Sequence, residues 1–248
     1  MRTLVVVVVL AGLLAVTASA APRRTFVWPT SIQAEPDGSL LVVENGTHRV
    51  LRVDPRTGAI RVVAGGLAKP FAATRTPRGV VVSDDTALRL VGHGVLTRAS
   101  SQIGPVAAIS GGFAFATQTA AFTLVGGKLA GIATGLAGPH GIAIERGTIL
   151  IADTGHNRLL AGTHVLAHLK EPRGIAVDSA GRIDVVSAGR IVRLTASGKR
   201  LGVVGPRFTD PYDVTVAQDG SLYVIETAAR GWLVRVDPRG RVATVPTG

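Results

Sequence analysis

The sequence predicts an all-β chain, a six-bladed β-propeller of four-stranded antiparallel blades. Three observations carry that prediction. A phrase of Pro, two residues, an apolar strand, a turn and a second strand recurs from Trp28 to the C-terminus, opened by Pro29, Pro70, Pro105, Pro139, Pro172 and Pro211. A repeat with a period of about 35–40 residues is the signature of solenoids and propellers. Each copy holds four short apolar runs separated by Gly, Asp or Asn turns, the count of one propeller blade. No sustained apolar spacing of i, i+3, i+4, i+7 follows residue 20, so helices are not expected.

The blades are expected at 28–66, 67–102, 103–135, 136–169, 170–206 and 207–248, forming a single domain. The first reads Ser39-Leu40-Leu41-Val42-Val43-Glu44 and then Arg49-Val50-Leu51-Arg52-Val53. Blades two and three depart furthest from the pattern but keep their punctuation at Arg78-Gly79 and Gly111-Gly112. The fourth is the cleanest: Pro139-His140-Gly141-Ile142-Ala143-Ile144, then Thr148-Ile149-Leu150-Ile151-Ala152-Asp153. In the fifth, Asp184 replaces the Leu41, Leu150 or Tyr223 of other copies. A carboxylate there needs a partner, with Arg193 the candidate. The sixth closes on Trp232-Leu233-Val234-Arg235-Val236 and Val242-Ala243-Thr244-Val245. Many second strands are apolar at consecutive positions, as expected of a sheet covered on both faces.

Met1-Arg2, an apolar run from Leu4 to Val16 and Ala18-Ser19-Ala20 predict a secretory signal peptide over 1–20. The run is shorter than the roughly 20 residues that span a bilayer. Cleavage near Ala20 would leave a short basic lead-in, 21–27, and an extracytoplasmic protein. There is no cysteine, which excludes disulfides, thiol catalysis and thiolate metal sites. The formal charge is +11, almost all of it from Arg. Such a surface attracts anionic partners. The arginines are scattered through all copies, however, and aromatics make up only 4% of the chain, so stacking platforms for nucleic acid are poorly supplied.

In a propeller the first strand begins, and the second ends, on one face, around one mouth of the channel. One column of candidates follows each proline: Thr30-Ser31, Phe71-Ala72, Val106-Ala107, His140-Gly141, Arg173-Gly174 and Tyr212-Asp213. The other closes each second strand: Glu44, Asp84, Thr117, Asp153, Ser187 and Glu226. Carboxylates beside a His, an Arg and a Tyr are the obvious candidate site. Each acid has an equally simple structural use, to cap a turn or hold an Arg of the third strand such as Arg49 or Arg158. His140 suits a general base near pH 7. Arg173, Tyr212 and Asp213 are the candidate ligand-binding residues, Arg173 for an anion. His164 and His168, four apart on an expected outer strand, lie about 13 Å apart along it.

The phrase Ile151-Ala152-Asp153-Thr154-Gly155-His156-Asn157-Arg158-Leu159 resembles the NHL repeat, and Glu35-Pro36-Asp37-Gly38-Ser39-Leu40 with Glu44-Asn45 is similar to the streptogramin B lyase repeat. The gluconolactonase/regucalcin family and the peptidyl-hydroxyglycine lyases are relatives. The lyase resemblance implies His140 and Asp153 as a catalytic pair acting with a divalent cation (Mg or Ca); the carboxylate ring offers Glu44, Asp153 and Glu226 as its ligands, with Asp213 beside them. Val106-Ala107 stands where the lyases carry a further His. The lactonase resemblance fits less: Thr30-Ser31, His140 and Arg173 occupy its metal-ligand places, and an Arg repels a cation. Two functions therefore follow. The first is a monomeric extracytoplasmic scaffold binding a protein, peptide or anionic polymer at its channel mouth. The second is a metal-assisted lyase or lactone hydrolase.

Overall fold

A computed structural model describes residues 26–227 and 231–247, so the expected signal peptide lies outside the described residues. Six four-stranded antiparallel sheets follow one another around a ring, each in simple up-and-down order. Their strands run over 29–64, 70–98, 103–134, 141–168, 172–204 and 211–244. Among the described residues, only two short 3-10 turns, Asn45–Thr47 and Thr154–His156, interrupt the β-structure. The described part is thus an all-β six-bladed propeller, and no helix in it is long and apolar enough to cross a membrane.

The core lies between blades, which explains the consecutive apolar residues. Side chains alternate across a strand with period 2. In the second strand of blade 1 (Leu40–Glu44), Leu40 and Val42 therefore join a cluster shared with blade 6, while Leu41 and Val43 join one shared with blade 2. Blade 4 repeats this: Leu150 and Ala152 pack toward blade 5, Ile151 toward blade 3. Six apolar clusters result, one at each junction.

Ring closure uses both ends of the described chain. Phe26, 2% exposed, exchanges two backbone hydrogen bonds with Gly231 of blade 6, at 2.8 and 2.9 Å. Phe26 and Val245 share one cluster with blade 1 residues Leu51 and Val53.

Asp184 meets the partner expected from the sequence. It is 1% exposed and opposite Arg193, which donates to it twice, at 2.8 and 2.7 Å. Burial raises its pKa, and the guanidinium opposes that rise.

Close packing around the axis sets a second constraint. A Cβ on Gly174 would sit 2.1 Å from Asp213 Oδ1 and 2.8 Å from the Val214 nitrogen; one on Gly141 would sit 2.2 Å from the Arg173 carbonyl oxygen. Glycine lets adjoining inner strands approach. Gly174→Ala is expected to cost about 3 kcal/mol, because backbone atoms cannot yield as side-chain tips do. Gly131→Ala, in an outer strand with nothing within 4 Å of the added atom, is expected to be neutral or slightly stabilising. Urea unfolding of the two variants checks the difference, and equal midpoints would contradict the packing argument.

Candidate functional site

Each blade's inner strand is an edge strand, so its outward N–H and C=O groups face the channel. Unpaired, they would be costly. Side chains from neighbouring inner strands meet many of them. Asp213 accepts from the Ile32 and Val214 nitrogens at 2.8 and 2.9 Å. Thr215 Oγ1 accepts from Ala34 at 3.0 Å, and Gln33 Oε1 from Arg75 at 2.8 Å. Gln33, Asp213 and Thr215 line a channel cavity of about 320 Å³. Its polar wall belongs to blades 6, 1 and 2. Blades 3 to 5 contribute mainly Ala, Gly and Ile, such as Ala107, Ala143 and Ala176.

The mouth column converges on the axis. Phe71, His140 and Tyr212, from alternate blades 2, 4 and 6, form a triangle with ring centroids 5.6–6.2 Å apart. Aromatic rings favour such tilted and edge-on contacts. Arg173 lies over the Tyr212 ring at 5.3 Å, within cation–π range, and reaches Asp210 at 3.0 Å. Three of the predicted residues, His140, Arg173 and Tyr212, are thereby brought into one group. Asp213 follows Tyr212 on the channel wall.

His140 is held in one tautomer. The Thr154 hydroxyl lies 2.6 Å from the Pro172 carbonyl and must donate to it. His140 Nδ1, 2.9 Å from the same oxygen, therefore carries the proton, and Nε2 is the acceptor. Burial, then the nearby Arg173 charge, lowers the pKa of His140, so the imidazole is neutral at pH 7. Burial also raises Tyr212 well above an ordinary phenol. Asp213 faces only the narrow channel. Burial lifts its pKa to about 6, against the opposing hydrogen bonds from Ile32, Val214 and Ser31.

The acidic column does something else. Glu44, 2% exposed, accepts the Val27 N–H at 2.8 Å and the Arg49 guanidinium at 2.6 Å, and Thr47 donates to it. Asp84 accepts from Lys69 N–H and Arg89 at 2.7 and 2.8 Å. Asp153, fully buried, accepts from Ala137 N–H, His156 and Arg158 at 2.8, 2.9 and 2.7 Å. Glu226 accepts from the Thr209 and Asp210 nitrogens. Each acid thus fastens the segment entering its own blade. Burial by itself would raise Glu44 and Asp153, but their hydrogen bonds outweigh it and hold both pKa values low.

The structure does not bring the expected cation ligands together. Glu44, Asp153 and Glu226 stand on three different blades and are engaged there, instead of converging as ligands. His140 is tied to Thr154, not to Asp153. Among the described residues no three His, Cys, Asp or Glu side chains are grouped to hold a metal, so the residues present do not fit the cation of the lyase and lactonase reading. Sequence reasoning passed over Thr154, whose only signal was its place directly after Asp153. It also passed over Trp28, 74% exposed at the start of blade 1.

Comparison with known proteins agrees with this architecture. The NHL repeat model matches residues 136–161, the cleanest copy. Among solved structures, a streptogramin B lyase is similar at 14% identity and TM-score 0.67, over 91% of this chain and 85% of that one. A luciferin-regenerating enzyme is similar at 13% identity and TM-score 0.72, over 90% and 96%. A gluconolactonase from Xanthomonas campestris is similar at 15% identity and TM-score 0.68, over 90% and 88%. At such identities the likeness is one of fold. No curated protein matches the chain in sequence.

The Asp213 environment predicts a pH effect of definite sign. Its folded pKa, about 6, exceeds the ordinary 3.8. The folded state therefore binds the extra proton between those values, and Asp213 favours folding below that window and loses this contribution as pH rises through 6. The stability of wild type relative to Asp213→Asn should fall by up to about 3 kcal/mol between pH 4 and 7. Urea unfolding at unit pH steps measures it, and parallel curves would contradict the assignment.

Proposed function

We propose that this chain, an NHL-repeat-bearing six-bladed propeller, is an exported binding scaffold that engages its partner on the channel-mouth face. The observation that carries this reading is the engagement of the acidic column. Every carboxylate a cation would need there is already satisfied by backbone N–H groups, by an Arg of its own blade, or by both. What the mouth offers outward is suited to contact instead: the Phe71–His140–Tyr212 group, the Arg173 guanidinium and the exposed Trp28. Aromatic and Arg side chains dominate protein-binding hot spots. Export rests on the leader-like segment over 1–20.

A second reading keeps His140 as a general base without a cation. It is supported by the neutral Nδ1–H tautomer with Nε2 as the available acceptor.

Calorimetric titration of the purified protein with Ca²⁺ and Mg²⁺ separates the scaffold from the metal-assisted enzyme. The scaffold predicts no stoichiometric binding. It also predicts that Asp153→Ala loses about 3–5 kcal/mol of stability, since Arg158 is left beside an emptied carboxylate site. Stoichiometric binding abolished in both His140→Ala and Asp153→Ala would overturn the scaffold reading. N-terminal sequencing of protein recovered outside the cytoplasm should begin at Ala21.

A further inference from the structure

Blade 5 breaks the charge pattern of the mouth face. In blades 1 and 4 the acid ending the second strand pairs in register with the first residue of the third strand, Glu44 with Arg49 and Asp153 with Arg158. In blade 5 the same register pairs Ser187 with Arg190. The arginine has been kept and its carboxylate replaced. Ser187 still fastens the entering segment, donating to the Lys170 carbonyl at 2.7 Å, so the fold is served while the charge is not balanced.

Ala188 and Gly189, which lead into Arg190, help to line a cleft that holds other cations. This cleft of about 270 Å³ between blades 5 and 6 is lined by Lys170, Arg173 and Arg207, with Thr209 supplying a hydroxyl. Two carboxylates also line it, Glu171 and Asp210. Asp210 is occupied, accepting from Arg173 at 3.0 Å and from the Thr227 hydroxyl at 2.5 Å. Among the described residues no acid ion-pairs with Lys170, Arg190 or Arg207. The Ala188-Gly189 turn keeps the cleft floor low: both residues have positive φ, and Gly189 approaches the Arg207 guanidinium.

We infer that the mouth-side edge of blade 5 is an oxyanion-binding site, taking phosphate or carboxylate groups of an anionic polymer. Resting on the scaffold reading, it names the ligand class and the part of the mouth face that recognises it. Guanidinium groups present paired donors to such oxyanions, and lysine adds a point charge. A polymer is favoured over a lone ion because Lys170 and Arg207 are exposed and Arg190 stands outside the cleft lining, so the cations are not gathered around one point.

The test is fluorescence anisotropy with labelled long-chain polyphosphate and, separately, labelled poly-L-glutamate, at 50 and 200 mM NaCl. The wild type should bind at least one polymer, and the preferred one identifies the oxyanion. The triple variant Lys170→Ser, Arg190→Ser, Arg207→Ser should weaken that binding tenfold or more and flatten its salt dependence, since fewer counterions are released. Ser187→Asp, which places a carboxylate opposite Arg190, should weaken it severalfold, whereas Ser187→Ala, which loses the same hydrogen bond to the Lys170 carbonyl without adding charge, should bind as the wild type does. A charge-matched control on the opposite face, Lys128→Ser, Lys199→Ser, Arg200→Ser, should change it less than twofold. Equal losses in the two triple variants would show that net charge alone attracts the polymer and would overturn the site. Failure of the wild type to bind either polymer at 50 mM salt would overturn it too. Weakening by Trp28→Ala but not by the blade 5 variants would sink this site and leave the scaffold reading intact.

Discussion

The clamp made where the second strand ends, by an acid in four of the six blades, is the interaction on which the rest of the ring depends. It joins three chain segments at once: the stretch entering the blade, the end of the second strand and the start of the third. Blades 1, 2 and 4 use a carboxylate with an Arg, and blade 6 a carboxylate with backbone alone. Where the acid is missing, a hydroxyl takes over part of the task, Thr117 donating to Ala120 and Ser187 to Lys170. A buried carboxylate is tolerated only because its lone pairs are filled. In this fold the same carboxylates serve as structural fasteners.

With the blade entries pinned, the cores follow. Each junction buries its own apolar cluster, and every second strand serves two of them through its alternating faces. Such a ring has no hydrophobic centre; its axis is a polar channel walled by strand edges. The blade 6–blade 1 junction, where the chain ends meet, relies on Phe26 and Val245. Unlike an open array of repeats, where each unit contacts only its sequence neighbours, this ring is complete only when its first and last blades meet.

The channel and its mouth are asymmetric in a way that matters for binding. Polar side chains satisfy edge N–H groups on one side of the axis, while glycine and alanine let blades 4, 5 and 6 approach closely on the other. The three aromatic rings crowd the mouth, and the low pKa of His140 follows from that crowding and from Arg173. In the proposed scaffold, recognition falls to the rim, to Trp28 on one side and to the basic edge of blade 5 on another.

How much of this was legible in the sequence depended on whether one blade or several were involved. The number of blades, their four strands and the two-faced second strands follow from local pattern, since turn chemistry and side-chain alternation are properties of short segments. The Asp184–Arg193 pair was also readable, because hairpin register places the two residues opposite each other. The roles of the acids were open from sequence, since a carboxylate at a strand end suits a ligand or a cap equally. Only the tertiary structure shows what they hold, because many of the partners are backbone N–H groups and those cannot be read from residue types. The meeting of Phe71, His140 and Tyr212 is likewise tertiary: they are 69 and 72 residues apart in the chain and touch only because ring geometry points every blade's first residue at a common axis.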